Sequence, residues 1–184
     1  MNTLWTNPKV TKVEFSNPNK MAPSLIKALN ETRDWINKPM TFTRSANGTI
    51  YHPHGDAVSP WSSSHAKGSL HKFDCDHDRT AEIDNVVVAQ NSGGLAQDWD
   101  CGWDGGASDP EELFDIFLLL ERLNVWNGIG LYPHWNRPGF HTDLRTNNHP
   151  HTKARWFRLS DGTYHKLTWQ NWKHRAMDKY DLTL

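Results

Sequence analysis

Cysteine is scarce in this chain. Only Cys75 and Cys101 occur, too few for a disulfide framework and not spaced as a zinc knuckle, so both are expected as free thiols. Long apolar runs are missing too. No stretch approaches the roughly 18–20 apolar residues of a membrane span, and the first residues show no basic region followed by an apolar run. The expectation is a protein with no membrane segment and no export signal of its own. Excess charge of either sign is also lacking: 20 Lys and Arg stand against 21 Asp and Glu, and no basic stripe is visible, which argues against nucleic acid as a main partner. What is abundant is tryptophan and histidine, ten and eleven residues in a chain of 184 that is only 36% hydrophobic. That combination predicts a small aromatic core beneath polar loops, with many side chains able to ligate a metal. The length fits one domain, with residues 1–21 as an N-terminal arm and 22–184 as the folded unit.

Periodicity supplies the elements. Leu25, Ile26, Leu29 and Ile36 recur at helical spacing, with Pro23 suited to the first turn and Lys38-Pro39 closing the pattern. Met40 to Arg44 alternates as a strand, and a polar segment follows from Ser45 to Ser64, long enough to suggest the rim of a site. Phe73 to Cys75 and Ile83 to Ala89 read as strands. Gly93-Gly94 and Gly105-Gly106 bracket a segment rich in Trp and Asp that reads as a loop. Ser108-Asp109-Pro110-Glu111 forms a capping box that opens a helix through Leu113, Ile116, Phe117, Leu120 and Leu123. Arg155 to Leu159 and Tyr164 to Thr168 make a hairpin about Ser160-Asp161-Gly162-Thr163, and Trp169 to Tyr180 a final helix. These elements predict an α+β domain, a small antiparallel sheet with helices packed on it.

The stretch from Gly128 to Arg145 concentrates the chemistry. Ile129 and Leu131 form a strand, Pro138-Gly139 marks a turn, and His141 to Arg145 alternates with period two, so His141, Asp143 and Arg145 share one face. A metal ligand, a carboxylate and a cation therefore lie side by side. A mononuclear zinc site needs three protein ligands and an open position, and imidazole with carboxylate suits it. Candidates for the rest of the set lie in Ser63 to Asp78. Eleven histidines make chance proximity easy, His52, His54, His77, His149 and His151 are expected to be exposed, and Trp135, Trp156 and Trp169 are expected as packing residues.

Ser63-x-His65-x-x-Gly68, an aspartate in the strand that follows, Gly-Ile-Gly-Leu-Tyr-Pro from Gly128 and Pro-Gly-Phe-His-Thr-Asp-Leu-Arg from Pro138 together resemble the M15 family of zinc D-Ala-D-Ala carboxypeptidases and related phage endolysin peptidases. The resemblance spans roughly residues 22 to 158 and implies a DD-peptidase-like fold. It also implies a zinc ion held by His65, Asp74 and His141, with Arg44 as the cation that steadies a carbonyl oxygen or substrate carboxylate. Asp76 lies on the same strand face as Asp74. The family commonly has its aspartate seven residues after the first histidine, where this chain has Lys72. A second register, Ser69-Leu70-His71 with Asp78, restores that spacing but sets Asp74 where the family has glycine and Asp76 where it has alanine.

Relatives commonly place Glu or Asp three residues before the last histidine. Pro138 stands there, so Asp143 is the substitute, either as the base that takes a proton from water or as a carboxylate that orients His141. The implied function is zinc-dependent hydrolysis of peptidoglycan stem peptides, of carboxypeptidase or L-Ala-D-Glu endopeptidase type, by a phage-encoded enzyme acting on the wall after release or as part of the virion. A catalytically silent member acting as a structural or wall-binding module is the alternative, and a metal-dependent amidase on another substrate reads the same in sequence.

Overall fold

The computed structural model describes residues 10–44, 49–52, 55–56, 69–71, 80–83, 86–90, 94–101, 110–145 and 151–177, with 80–90 and Pro110 described by backbone alone. Within these, two main helices pack with a five-stranded sheet. Helix α1 (Pro23–Ile36) starts on Pro23, whose fixed φ suits a first turn. Its buried side, Leu25, Ile26, Ala28, Leu29, Thr32 and Ile36, follows the helical spacing. It ends on Asn37 in the left-handed conformation, φ 48°. Helix α2 (Pro110–Leu123) buries Leu113, Ile116 and Leu120 and is followed by Asn124, also left-handed at φ 56°. Asparagine tolerates this conformation better than other side chains and stops a helix without glycine. The helices are tied by Trp126 just after α2, which donates to the Thr32 hydroxyl of α1 at 2.8 Å.

The strands are β1 (Thr80–Ile83), β2 (Val86–Gln90), β3 (Ala96–Trp99), β4 (Gly128–Tyr132), β5 (Gly139–Asp143), β6 (Ala154–Arg158) and β7 (Tyr164–Lys166). β1 and β2 form a separate antiparallel hairpin, whereas the others make one sheet in the order β3-β5-β4-β6-β7. The α+β class holds, but the sheet is mixed, since β4 and β6 run parallel. Four expected features change in detail. The run read as one strand from Ile83 to Ala89 is divided between β1, which ends at Ile83, and β2, which starts at Val86. Met40 to Arg44 contributes only isolated bridges, Thr41 with Asp100 and Arg44 with Ile50. The segment after Gly94, read as a loop, is strand β3 at the sheet edge. The last helix is one short α turn, α3 (Trp169–Trp172), continued by wider π turns to Met177. The expected strand Phe73 to Cys75, the capping residues Ser108 and Asp109, and Cys75 lie outside the described residues. Cys101 is buried as a free thiol, and burial pushes its pKa up to about 12.

Alternation gives the sheet two unlike faces. One carries Trp99, Ile129, Leu131, Phe140 and Phe157 into the core with the helices, all of them fully buried; each such side chain contributes about 1.5–3 kcal/mol. Trp99 stacks on Phe140 with ring centroids 4.6 Å apart. The other face carries Asp98, His141, Gly130 and Trp156 in one row across β3, β5, β4 and β6. The glycines of β4 make room for it. A Cβ on Gly130 would lie 2.4 Å from the Trp156 ring, and one on Gly128 would lie 2.1 Å from the Asp143 carboxylate. Gly130→Ala is therefore expected to destabilise the fold by about 1–3 kcal/mol through overpacking, read as a lower urea midpoint at unchanged m-value; an unmoved midpoint would show that the indole yields freely.

Candidate metal centre and adjoining cleft

Asp98 of β3 and His141 of β5 are direct cross-strand partners, so their side chains rise side by side from the polar face. His141 Nδ1 lies 2.8 Å from Asp98 Oδ1. A third group arrives from outside the sheet: His71 Nε2 lies 3.1 Å from His141 Nδ1 and 3.4 Å from Asp98 Oδ1. These three residues form the one potential metal-holding group among the described residues.

Their other atoms are committed. His71 Nδ1 lies 3.1 Å from the Asp56 carbonyl oxygen, which can only accept, so Nδ1 carries the hydrogen and Nε2 the lone pair. His141 Nε2 likewise donates to Asp143 Oδ2 at 3.2 Å, which leaves Nδ1 to face inward. Asp143 is wholly buried and is held by Arg145, Nε to Oδ1 at 2.8 Å and Nη2 to Oδ2 at 2.6 Å. Arg145 is fixed in turn by the His151 carbonyl and lies over the Trp156 ring, 5.2 Å from its centroid. Two lone pairs and a carboxylate oxygen thus converge with no hydrogen between them, an arrangement that needs a cation or a proton at its centre. A tetrahedral zinc site, with bonds of about 2.0–2.1 Å, sets its ligand atoms about 3.3 Å apart, so donor types and spacing both fit.

Electrostatics agree. Burial opposes ionisation of Asp98, but the charges and hydrogen bonds of His71 and His141 hold its carboxyl below the usual range. Burial similarly disfavours the His141 cation, yet Asp143 and Asp98 outweigh it and raise the imidazole to about 9. Asp143 is kept ionised against burial by Arg145 and His141.

Of the residues expected from sequence, some fall in this cluster and others lie outside the described residues. His141 sits at the centre of the cluster. His65 and Asp74 lie outside the described residues, as do Asp76 and Asp78. His71, the histidine of the second register, is in the cluster, but its carboxylate partner is Asp98. Asp98 was missed because its segment reads as a loop. The available signal was alternation: Leu95, Gln97 and Trp99 interleave with Ala96 and Asp98, the period of a strand. The hairpin β1–β2 lies between His71 and Asp98 in the chain, and a backbone bond from Leu95 N to Leu70 O at 2.8 Å joins the segments that carry them.

Of the two roles open to Asp143, its placement fits the orienting one. It lies on the nitrogen of His141 that points away from the cluster, and both its oxygens are engaged by Arg145, so it is not placed as a base. Arg44 bonds through its backbone N–H to Glu14, and its buried Nε has no hydrogen-bond partner among the described residues. Among the described residues no hydrogen bond or ion pair joins Arg44 to His71, Asp98 or His141.

A cleft of about 360 Å³ opens beside the cluster, with Asp98 in its wall together with Tyr51, His52, Trp135 and Arg137. His52, expected to be exposed, is only 9% accessible. Trp135 stacks on Tyr132 at 4.3 Å, and the Arg137 guanidinium lies 4.3 Å from the centre of the Tyr51 ring. Comparison with protein-family models, with curated proteins and with solved structures finds no match to this chain.

Two outcomes follow for metal uptake. Because metal-free His141 holds its proton up to about pH 9, zinc must displace it at pH 7, releasing about one proton. Apparent affinity should rise with pH until about 9 and then level, and titration calorimetry at pH 7 in buffers of different ionisation enthalpy should give different apparent enthalpies; identical enthalpies would contradict the protonated state. Secondly, His71→Ala and Asp98→Ala should each lose stoichiometric zinc by elemental analysis while His65→Ala keeps it, and Arg145→Ala should weaken binding roughly 10–100-fold by releasing Asp143.

Proposed function

We propose that the protein is a zinc-dependent peptidase whose metal is held by His71, Asp98 and His141, and that it hydrolyses peptidoglycan stem peptides. The single observation that carries this reading is the convergence of the three ligand atoms with both imidazoles locked from behind, since such outer bonds fix which nitrogen faces a metal. Three protein ligands beside a cleft are the arrangement of a catalytic site rather than a closed structural one. The residues Gly128 to Pro133 and Pro138 to Arg145, similar to M15 peptidases, support peptide hydrolysis and a wall substrate. A zinc ion here would supply Lewis-acid polarisation of a carbonyl and make water a nucleophile at neutral pH.

The chain's own residues do the rest. Asp143 and Arg145 hold His141 in orientation, and the Asp56 carbonyl does the same for His71. Trp156 covers the row on the β6 side, with its ring 5.5 Å from that of His141; its indole N–H donates to Tyr132 Oη at 3.2 Å. This apolar wall limits water on one side of the cluster, whereas the Tyr51–Trp135 side stays open to an extended chain. Bacteriophage origin, with action after release or as part of a virion, belongs to the same proposal.

Purified peptidoglycan incubated with zinc-loaded protein should release new amino groups. Release should stop with a chelator, return on adding zinc, and be absent in His141→Ala. The second reading, a silent metal-holding module, is favoured by Pro138 at the position where relatives carry a carboxylate; it predicts stoichiometric zinc with no amino-group release from wild type.

A further inference from the structure

Peptide hydrolysis needs a group that takes a proton from the attacking water and returns one to the leaving amine. Pro138 has none to offer, and Asp143 lies behind His141. The cleft wall contains another group. His52 is nearly buried, and its Nε2 donates to Asp100 Oδ2 at 2.9 Å. Asp100 is wholly buried and also accepts from Arg137, Nε to Oδ2 at 3.0 Å and Nη2 to Oδ1 at 2.9 Å. A carboxylate can only accept, so the hydrogen of neutral His52 is fixed on Nε2 and its Nδ1 carries the lone pair. The side chain is also close to the cluster. A Cβ built on Gly55 would lie 2.7 Å from His52 Cβ and 3.0 Å from Asp98 Cβ, so both side chains leave the backbone from neighbouring points and line the same cleft.

We infer that His52, oriented by Asp100 and Arg137, is the proton-transferring catalytic residue of this site, in place of a carboxylate. This rests on the peptidase reading above. In the first step the water oxygen bonds to the carbonyl carbon while His52 Nδ1 accepts a water proton. In the second the carbon–nitrogen bond breaks, and the imidazolium gives that proton to the departing nitrogen, leaving an amine and a carboxylic acid with the net addition of one water. Asp100 stabilises the transient imidazolium without taking its proton, as in other carboxylate–histidine pairs. Arg137 is a positioning residue that keeps Asp100 aimed at His52.

The test uses the full chain loaded with zinc, on purified peptidoglycan. His52→Ala should retain stoichiometric zinc yet lose amino-group release roughly 10²–10⁴-fold, the usual range for removing a general acid–base group, and added imidazole should restore part of the rate. His52→Gln, which preserves bulk and polarity, should be equally slow and give no imidazole response. Full activity of His52→Ala, or loss accompanied by loss of zinc, overturns the proposal while leaving the peptidase reading intact. Wild type that binds zinc and releases nothing overturns both. A readout independent of turnover is the histidine tautomer in metal-free wild type: ¹⁵N correlation spectra should show His52 with hydrogen on Nε2, and Asp100→Asn should disturb it. Hydrogen on Nδ1 in wild-type His52 would falsify the assignment.

Discussion

The outer nitrogens of two imidazoles decide the character of this protein. His71 gives its Nδ1 hydrogen to the Asp56 carbonyl and His141 its Nε2 hydrogen to Asp143, so neither ring can turn without abandoning a buried acceptor. Two lone pairs are thereby forced toward one carboxylate oxygen of Asp98. Left without a cation or a proton, such a cluster is repulsive; with either at its centre, it is held together. Much of the surrounding structure serves this constraint. Gly128 leaves space for Asp143, Gly130 leaves space for Trp156, and Arg145 fills the volume between them. The small residues of β4 exist for the bulky neighbours that they admit.

Support also comes from the start of the chain. Val10, Phe15 and Met21 are buried in the core, and the Asp56 carboxylate accepts the backbone N–H groups of Ser16 and Asn17. Burial raises the Asp56 pKa, and the Asn17 and Ser16 amides offset part of that rise. One residue therefore ties the N-terminal segment through its side chain and His71 through its carbonyl. Gly94 is held in the same region, donating to Lys20 O and accepting from Ala22 N, so the approach to Asp98 is fixed from the same segment.

Local pattern made part of this legible. Both main helices could be read from apolar spacing, because burying a stripe against a sheet demands that spacing. β4 and β5 could be read from alternation and from Pro138-Gly139, and His141 with Asp143 and Arg145 from shared strand parity. β3 could not, since Gly93-Gly94 and the Trp and Asp residues beyond give the composition of a loop, and an edge strand is held by partners distant in sequence. The meeting of Asp98 with His71 was hidden for a related reason. Counting along the chain from His65 or His71 finds aspartates in the wrong company, whereas the carboxylate that meets His71 arrives after an excursion of the backbone. His52 was misjudged as exposed because its burial comes from Asp100 and Trp135, neither of which is near it in sequence.

That excursion bears on how this site could have diversified. The chain departs just after His71 and returns just before Asp98, and the Leu95–Leu70 hydrogen bond closes the gap at its foot. Closing a longer loop costs only slightly more entropy than closing a short one, so the interval between His71 and Asp98 can change length while the two side chains keep their places. The β1–β2 hairpin belongs to this region. A cluster assembled across such a junction separates the inheritance of chemistry from the inheritance of length. Two proteins could then share every ligand in space and still defeat alignment in sequence.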